Sequence, residues 1–191
     1  MTIKDSVRVS KSLSWLLRHG AAKEKIELDV EGYADLECVI RKLKQKTGER
    51  SLTESDIQAI VVNCPKQRFK LQVKNNVKLI RANQGHTISR VTSAANKQLH
   101  TPLSVPLLHG TSRASWAMIK TNGLSRRKRN HIHMVGADRK QQHRIRADVW
   151  IRIDMGRALN DGIVFIESDN GVILSPGDSR GIIPADYLSL E

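Results

Sequence analysis

Arginine and histidine stand side by side at Arg18-His19, where the apolar run WLLRHG ends. A guanidinium beside an imidazole can grip a phosphate with one group and move a proton with the other. The same pair also suits the last turn of a helix, where exposed cations gain about 0.3–1 kcal/mol from the dipole. Arg68 and Lys70 share one face of an alternating segment, which reads either as a phosphate-facing stripe or as a solvated strand face. In His109-Gly110-Thr111 a glycine lets the backbone approach a flat ligand closely, although a plain turn has the same spelling. His131 and His133 fall on one side of a strand, because side chains alternate. Two such histidines could ligate zinc, but a third ligand at sensible spacing is missing, so no metal is expected. Arg126-Arg127-Lys128-Arg129 is a run of four cations, readable as a solvated loop, a localisation signal or a landing strip for RNA phosphates.

Several other chemistries lack support. The chain has neither G-x-G-x-x-G nor G-x-x-x-x-G-K-[ST], so no Rossmann or P-loop nucleotide site is indicated. Gly-x-Ser-x-Gly is missing too, which removes the usual cue for Ser/His/Asp hydrolysis. The global signal is charge: +13 over 191 residues, with a pI near 10.1. That excess points to polyanionic partners, nucleic acid before acidic membranes. Aromatics make up only 4% of the chain, so phosphate contacts are favoured over base stacking. Cys38 and Cys64 are far apart and read as reduced structural thiols of an intracellular protein. Neither a secretory signal pattern nor an apolar run of membrane-spanning length is evident. A soluble protein is expected, cytoplasmic or, in a eukaryote, nuclear; the basic run alone does not establish nuclear import.

Elements must position these residues. Val9, Leu13, Leu16 and Leu17 follow helical spacing, and Gly20 stands where a left-handed cap would close the helix. Leu36, Val39, Ile40 and Leu43 repeat that spacing, with Arg41, Lys42 and Lys44 on the wet side. A third helix is announced by Thr53 as cap, acidic residues in its first turn, and Leu52 placed to staple onto Ile57. After Asn63 the period becomes two: Phe69, Leu71 and Val73 alternate with polar residues, Lys74-Asn75-Asn76 turns, and Val77 to Ile80 returns. Three helices and a hairpin are the plan of a winged helix, an architecture that often binds nucleic acid without proving that it does.

The fold class expected is α+β. Residues 1–88 form a winged-helix lobe, 89–106 an interlobe connection, and 107–191 a second, β-rich lobe. In that lobe, Leu107-Leu108-His109 enters a turn at Gly110, and Ser115 to Asn122 is a short helix closed by Gly123. Val149, Ile151 and Ile153 alternate as a strand. Ile163–Ile166 and Val172–Leu174 flank the hairpin signal Asp169-Asn170-Gly171.

These pieces, taken in order, resemble the NAD-dependent RNA (tRNA) 2′-phosphotransferases. The matching stretches are SKSLSWLLRHG (10–20), KQRFKL (66–71), IRANQGHT (80–87), LLHGT (107–111), NGL (122–124), RNHIHM (129–134), ALNDGIVFIESDNGVILSPG (158–177) and IPADYL (183–188). The resemblance implies a winged-helix RNA lobe joined to an ADP-ribosyltransferase-like NAD lobe. It implies RNA repair in two steps. An internal RNA 2′-phosphate, left at a tRNA splice junction, attacks the anomeric carbon of NAD+ and expels nicotinamide. The adjacent 2″-hydroxyl then attacks phosphorus, releasing 2′-hydroxyl RNA and ADP-ribose 1″,2″-cyclic phosphate. NAD+ is the co-substrate, no metal is needed, and a monomer acting on 2′-phosphorylated RNA is expected.

The resemblance also assigns residues. Its Arg-His-Arg-Arg set falls on Arg18, His19, Arg68 and, counting back ten from Asp154, Arg144, with Arg146 as a rival register. His109, Gly110, Thr111, Gly123, Arg129, His131 and His133 are assigned to NAD+, while Lys70, Arg126, Arg127 and Lys128 are expected to meet RNA. Guanidinium forks suit the charge that gathers on an attacking phosphate and a phosphorane, and His19 can hydrogen-bond that phosphate or protonate the departing 2′-oxygen. Protein-modifying relatives of such an NAD lobe carry a glutamate on a late strand; here that strand, Gly171 to Leu174, is apolar, and Glu167 precedes the turn. Two alternatives stay open: ADP-ribosylation of terminal nucleic-acid phosphates, and a non-catalytic RNA-binding module.

Overall fold

Val9, Leu13, Leu16 and Leu17 are fully buried, and their spacing winds the N-terminal chain into α1 (Ile3–Trp15), continued without a break by a π-helical segment, Leu16–Gly20. The computed structural model describes residues 3–92, 96–140 and 147–191. It separates into two compact units, Met1–Ala95 and Asn96–Glu191. The π turn has a local cause. A π-helix stacks residue i over i+5, which brings Trp15 over Gly20. A Cβ at Gly20 would lie 2.3–2.6 Å from three carbons of the Trp15 ring. Gly20 is therefore not the left-handed cap expected from sequence: it is not among the positive-φ glycines, and Ala21 continues right-handed at φ −55°, ψ −48°. Its missing side chain makes room for an indole instead.

The rest of the first unit has the helices and the hairpin expected from spacing. Asp35 caps α2 (Leu36–Thr47) by accepting from the Cys38 N–H at 2.7 Å, and Gly48 closes it in the left-handed conformation. Thr53 and Asp56 form a reciprocal capping box at α3 (Glu54–Val62), with Leu52 and Ile57 both buried as a staple pair requires. The strands β1 (Ala34–Asp35), β2 (Phe69–Lys74) and β3 (Val77–Ala82) form an antiparallel sheet in the order β1-β3-β2. Asn75 and Asn76 both take positive φ, as a two-residue type I′ hairpin turn demands. One core, including Leu13, Leu43, Ile57 and Ile80, ties helices to sheet.

The second unit is built on one antiparallel sheet. In chain order its elements are β4 (Lys97–Leu99), β5 (Leu107–Thr111), α4 (Arg113–Asn122), β6 (Leu124–Ser125), β7 (Ile132–Gly136), β8 (Val149–Ile153), α5 (Met155–Asn160), β9 (Phe165–Glu167), β10 (Ile173–Ser175), β11 (Ile182–Ile183) and β12 (Leu188–Leu190). Among the described residues seven strands pair in the order β12-β8-β5-β7-β10-β9-β4, and β6 pairs separately with β11. Residues 97–99, which sequence places in the connection, add the edge strand β4 beside β9. The hairpin at 169–171 is present, but only Gly171 takes positive φ, and Ser168 N–H bonds the Val172 carbonyl at 2.9 Å. That is a three-residue loop ending in a left-handed glycine rather than a two-residue turn. Mixed helices and antiparallel strands make the chain α+β.

Candidate functional site

In the first unit, Arg18 and His19 lie inside the π turn, Arg18 half-buried and His19 exposed. The loop Asn83–Thr87, which follows β3, meets them directly. Thr87 donates its N–H to the Arg18 carbonyl at 3.0 Å, and its hydroxyl lies 3.1 Å from His19 Nδ1. Between these contacts Gly85 runs at φ +91°, and the end of the Arg18 side chain lies 3.5–3.6 Å from where a Cβ at 85 would stand. At its other end the loop meets Arg68. Asn83 donates its side-chain amide to the Gln67 carbonyl at 2.6 Å and its backbone N–H to the Arg68 carbonyl at 2.9 Å. Gln67 itself holds φ at +42°. Three residues picked from sequence, 50 positions apart in the chain, are thus bonded to one five-residue loop.

Arg68 also donates to Cys64 Sγ at 3.4 Å. It lines a groove of about 460 Å³ with Ser10, Lys11 and Ser14 of α1 and Asn63 at the end of α3. Hydroxyls, an amide and two cations in one groove suit a phosphodiester strand. Lys70 is exposed on β2, paired in register with Arg81. Arg81 itself is buried, its guanidinium 4.9 Å from the Tyr33 ring centroid, and so braces the sheet.

In the second unit a cavity of about 760 Å³ gathers most of the other candidates: His109, Thr111, Gly123, the run Arg126 to Arg129, His131 and His133. Gly110 lies between two of them in β5, opposite Trp150. The small β6–β11 pairing and the Arg126 N–H bond to the Gly181 carbonyl at 3.0 Å pin the basic loop at the cavity. Arg126 folds back to donate to the Arg129 carbonyl at 2.8 Å. Sequence reasoning missed the face of α4 that lines the same cavity, Ser115, Met118 and Asn122. Met118 is 64% exposed and lines the cavity mouth from the helix side. Arg144 and its rival Arg146 lie outside the described residues. Glu167 sits in β9 opposite Ile173, and β10 carries only Ile173, Leu174 and Ser175, all buried.

Two of the cavity histidines, His109 and His131, are shifted toward the neutral form. Burial, with Arg127 and Arg129 adding to it, pushes His109 below the ordinary histidine value, against the opposing effect of its bond to the His133 carbonyl. Burial and Arg126 do the same to His131. Since a carbonyl can only accept, His109 Nδ1 carries the proton in its 2.8 Å bond, leaving Nε2 as the acceptor of the neutral ring. Four cations beside neutral imidazoles can hold a diphosphate at one end and ribose hydroxyls at the other. Among the described residues no cluster of three His, Cys, Asp or Glu could hold a metal, and no helix is long and apolar enough to cross a membrane.

A stability prediction follows from the depressed His109. Below pH 6.5 the unfolded chain binds a proton at this position that the folded chain refuses, so stability present above pH 6.5 is lost on acidification toward the folded-state pKa. For one such group the slope reaches about 1.4 kcal/mol per pH unit. Thermal melts between pH 7.5 and 5.5 are expected to show a smaller acid loss in His109→Gln than in the parent protein. Equal losses would show that the folded ring titrates normally.

Comparison with known proteins gives concordant findings. A profile of the "RNA 2'-phosphotransferase, Tpt1 / KptA family" matches residues 4–177. The chain is 36% identical over 192 residues to a tRNA 2'-phosphotransferase 1 of Danio rerio, covering 96% of this chain and 84% of that one. It is 38% identical over 190 residues to the Bos taurus protein of the same name, covering 95% and 73%. A probable RNA 2'-phosphotransferase of Rhizobium leguminosarum is 35% identical over 197 residues, covering 97% and 95%.

Proposed function

Because the chain belongs to the RNA 2'-phosphotransferase, Tpt1 / KptA family, we propose that it is an enzyme that removes an internal RNA 2′-phosphate, foremost at tRNA splice junctions, by transferring it to NAD+. The observation that carries the site assignment is the single loop bonded to Arg18, His19 and Arg68. On this reading the first unit is a winged-helix RNA lobe and the second an ADP-ribosyltransferase-like NAD+ lobe. Arg18 and Arg68 hold the 2′-phosphate, and their permanent charge stabilises the phosphorane that follows. His19 hydrogen-bonds the phosphate and supplies a proton to the departing 2′-oxygen. Arg144 is the fourth member of the set.

The second unit suits NAD+ as co-substrate. Arg126, Arg127, Lys128 and Arg129 line the same cavity as His109 and His131, which favours the NAD+ diphosphate as partner of Arg126, Arg127 and Lys128 too, over the RNA backbone expected for those three from sequence. Neutral His109 can bond a ribose hydroxyl through Nε2 without adding repulsion to the positive nicotinamide. The test is incubation with NAD+ and an RNA bearing one internal 2′-phosphate. Release of nicotinamide with formation of 2′-hydroxyl RNA is expected. RNA binding without NAD+-dependent loss of phosphate would leave the non-catalytic module, and a stable ADP-ribose cap on terminal phosphates alone would favour the other alternative.

A further inference from the structure

We infer that the loop Asn83–Thr87 is the positioning element of the phosphate site, with Thr87 fixing which nitrogen of His19 faces the RNA and Asn83 fixing the course of Arg68. This rests on the phosphotransferase reading and extends it to the loop that adjoins Arg18, His19 and Arg68.

Start with Thr87. Its hydroxyl lies 3.1 Å from His19 Nδ1 and 3.4 Å from the Arg18 carbonyl, the shorter contact being the one to the ring. That contact ties Nδ1 to the loop. On the phosphotransferase reading, Nε2 is then the ring nitrogen that exchanges a proton with substrate. A bond at Nδ1 also holds ring orientation. The backbone bond from Thr87 N–H to that same carbonyl, at 3.0 Å, secures the register.

Asn83 acts at the other end. It is 8% exposed, and it bonds the carbonyls on both sides of the Gln67–Arg68 linkage, at 2.6 and 2.9 Å. Gln67 at φ +42° lies in a region that non-glycine residues seldom occupy, and persists only where surrounding bonds over-determine it. Asn83 supplies two of those bonds. Between the ends, His86 is 8% exposed and packs against Gly32, where a Cβ would stand 3.0 Å from its Nε2. An anchored middle makes the two ends move together rather than singly.

The test uses the full chain with NAD+ and 2′-phosphorylated RNA. Thr87→Val keeps the side-chain shape and removes the hydroxyl; Thr87→Ser restores it. Misplacing a catalytic group by about an ångström lowers rates roughly 100-fold, so Thr87→Val is expected to lower kcat by about 10- to 100-fold. KM for NAD+ stays near the parent value, the limb of the pH–rate profile that reports His19 shifts, and Thr87→Ser recovers most of the rate. Asn83→Asp, which loses the amide donor, is expected to slow the same steps without changing NAD+ affinity. The inference is overturned if Thr87→Val, folded as judged by its melting temperature, keeps both rate and pH profile while His19→Ala is inactive. A parent protein with no activity would instead sink the phosphotransferase reading itself.

Discussion

Arg68→Ala is expected to lower NAD+-dependent removal of the 2′-phosphate by about 10²–10³-fold, the usual effect of deleting one preorganised group aimed at developing charge. The loss should fall unevenly on the two steps. Attack of the phosphate on NAD+ spreads negative charge away from phosphorus, whereas the second step concentrates it on a pentacoordinate centre. RNA carrying 2′-phospho-ADP-ribose should therefore accumulate, visible as a slower-migrating species in a gel. The thermal shift on adding NAD+ should persist, because the cationic cavity belongs to the second unit and Arg68 to the first. Arg68→Lys keeps the charge and loses the fork, so it should recover only part of the rate. Arg144→Ala is expected to stall at the same point and Arg146→Ala to be silent. The reverse pattern would move the fourth position by two residues. Wild-type turnover in Arg68→Ala would remove Arg68 from the site.

Gly123→Ala is expected to be a strongly damaging single-methyl change in the second unit. Gly123 sits at φ +81°, ψ 172°, a region open essentially to glycine alone. A Cβ there would also stand 2.6 Å from the Ile183 carbonyl oxygen and 2.5 Å from Ile182 Cγ2. Backbone strain costs about 1–3 kcal/mol, and forcing an atom into a filled space adds about 1–3 kcal/mol. Against a typical domain stability of about 5–15 kcal/mol, the sum removes a large share. The β6–β11 pairing, which holds the basic loop at the cavity, is the contact that must yield. A lower melting temperature and a weakened NAD+ shift are expected together. If Gly123→Ala melts with the parent protein, the chain path described at this glycine is not the one in solution. Although sequence resemblance assigns Gly123 to the cofactor, its first duty is to let helix α4 turn into β6.

Legibility differed between elements for physical reasons. Capped helices read well, because Thr53 and Asp56 satisfy orphan N–H groups locally and need no tertiary partner. The Asn75-Asn76 turn was equally plain, since left-handed pairs favour asparagine. Gly20 was misread because a glycine after an apolar run fits a cap on local grounds, and its partner is an aromatic ring five residues back. Edge strand β4 was missed because three residues, Lys97-Gln98-Leu99, carry too little periodicity to register. For the proposed site, Arg18, His19 and Arg68 stand out in the sequence as charged residues within recognisable motifs. Asn83 and Thr87 do not, because their contacts go to backbone and ring atoms that no sequence pattern reveals. The loop quoted as NQGHT held the signal: a glycine flanked by amide and hydroxyl side chains.

The indole of Trp15 lies with the Lys46 ammonium 4.0 Å from its ring centroid and with Gly20 one π turn ahead. Positions 15 and 20 are therefore expected to change together rather than singly. Any larger residue at 20 first needs a smaller one at 15, and each single change passes through a chain with either a clash or a void beside Arg18 and His19. The two positions should be inherited as a unit, so that swapping both at once does less harm than swapping either alone.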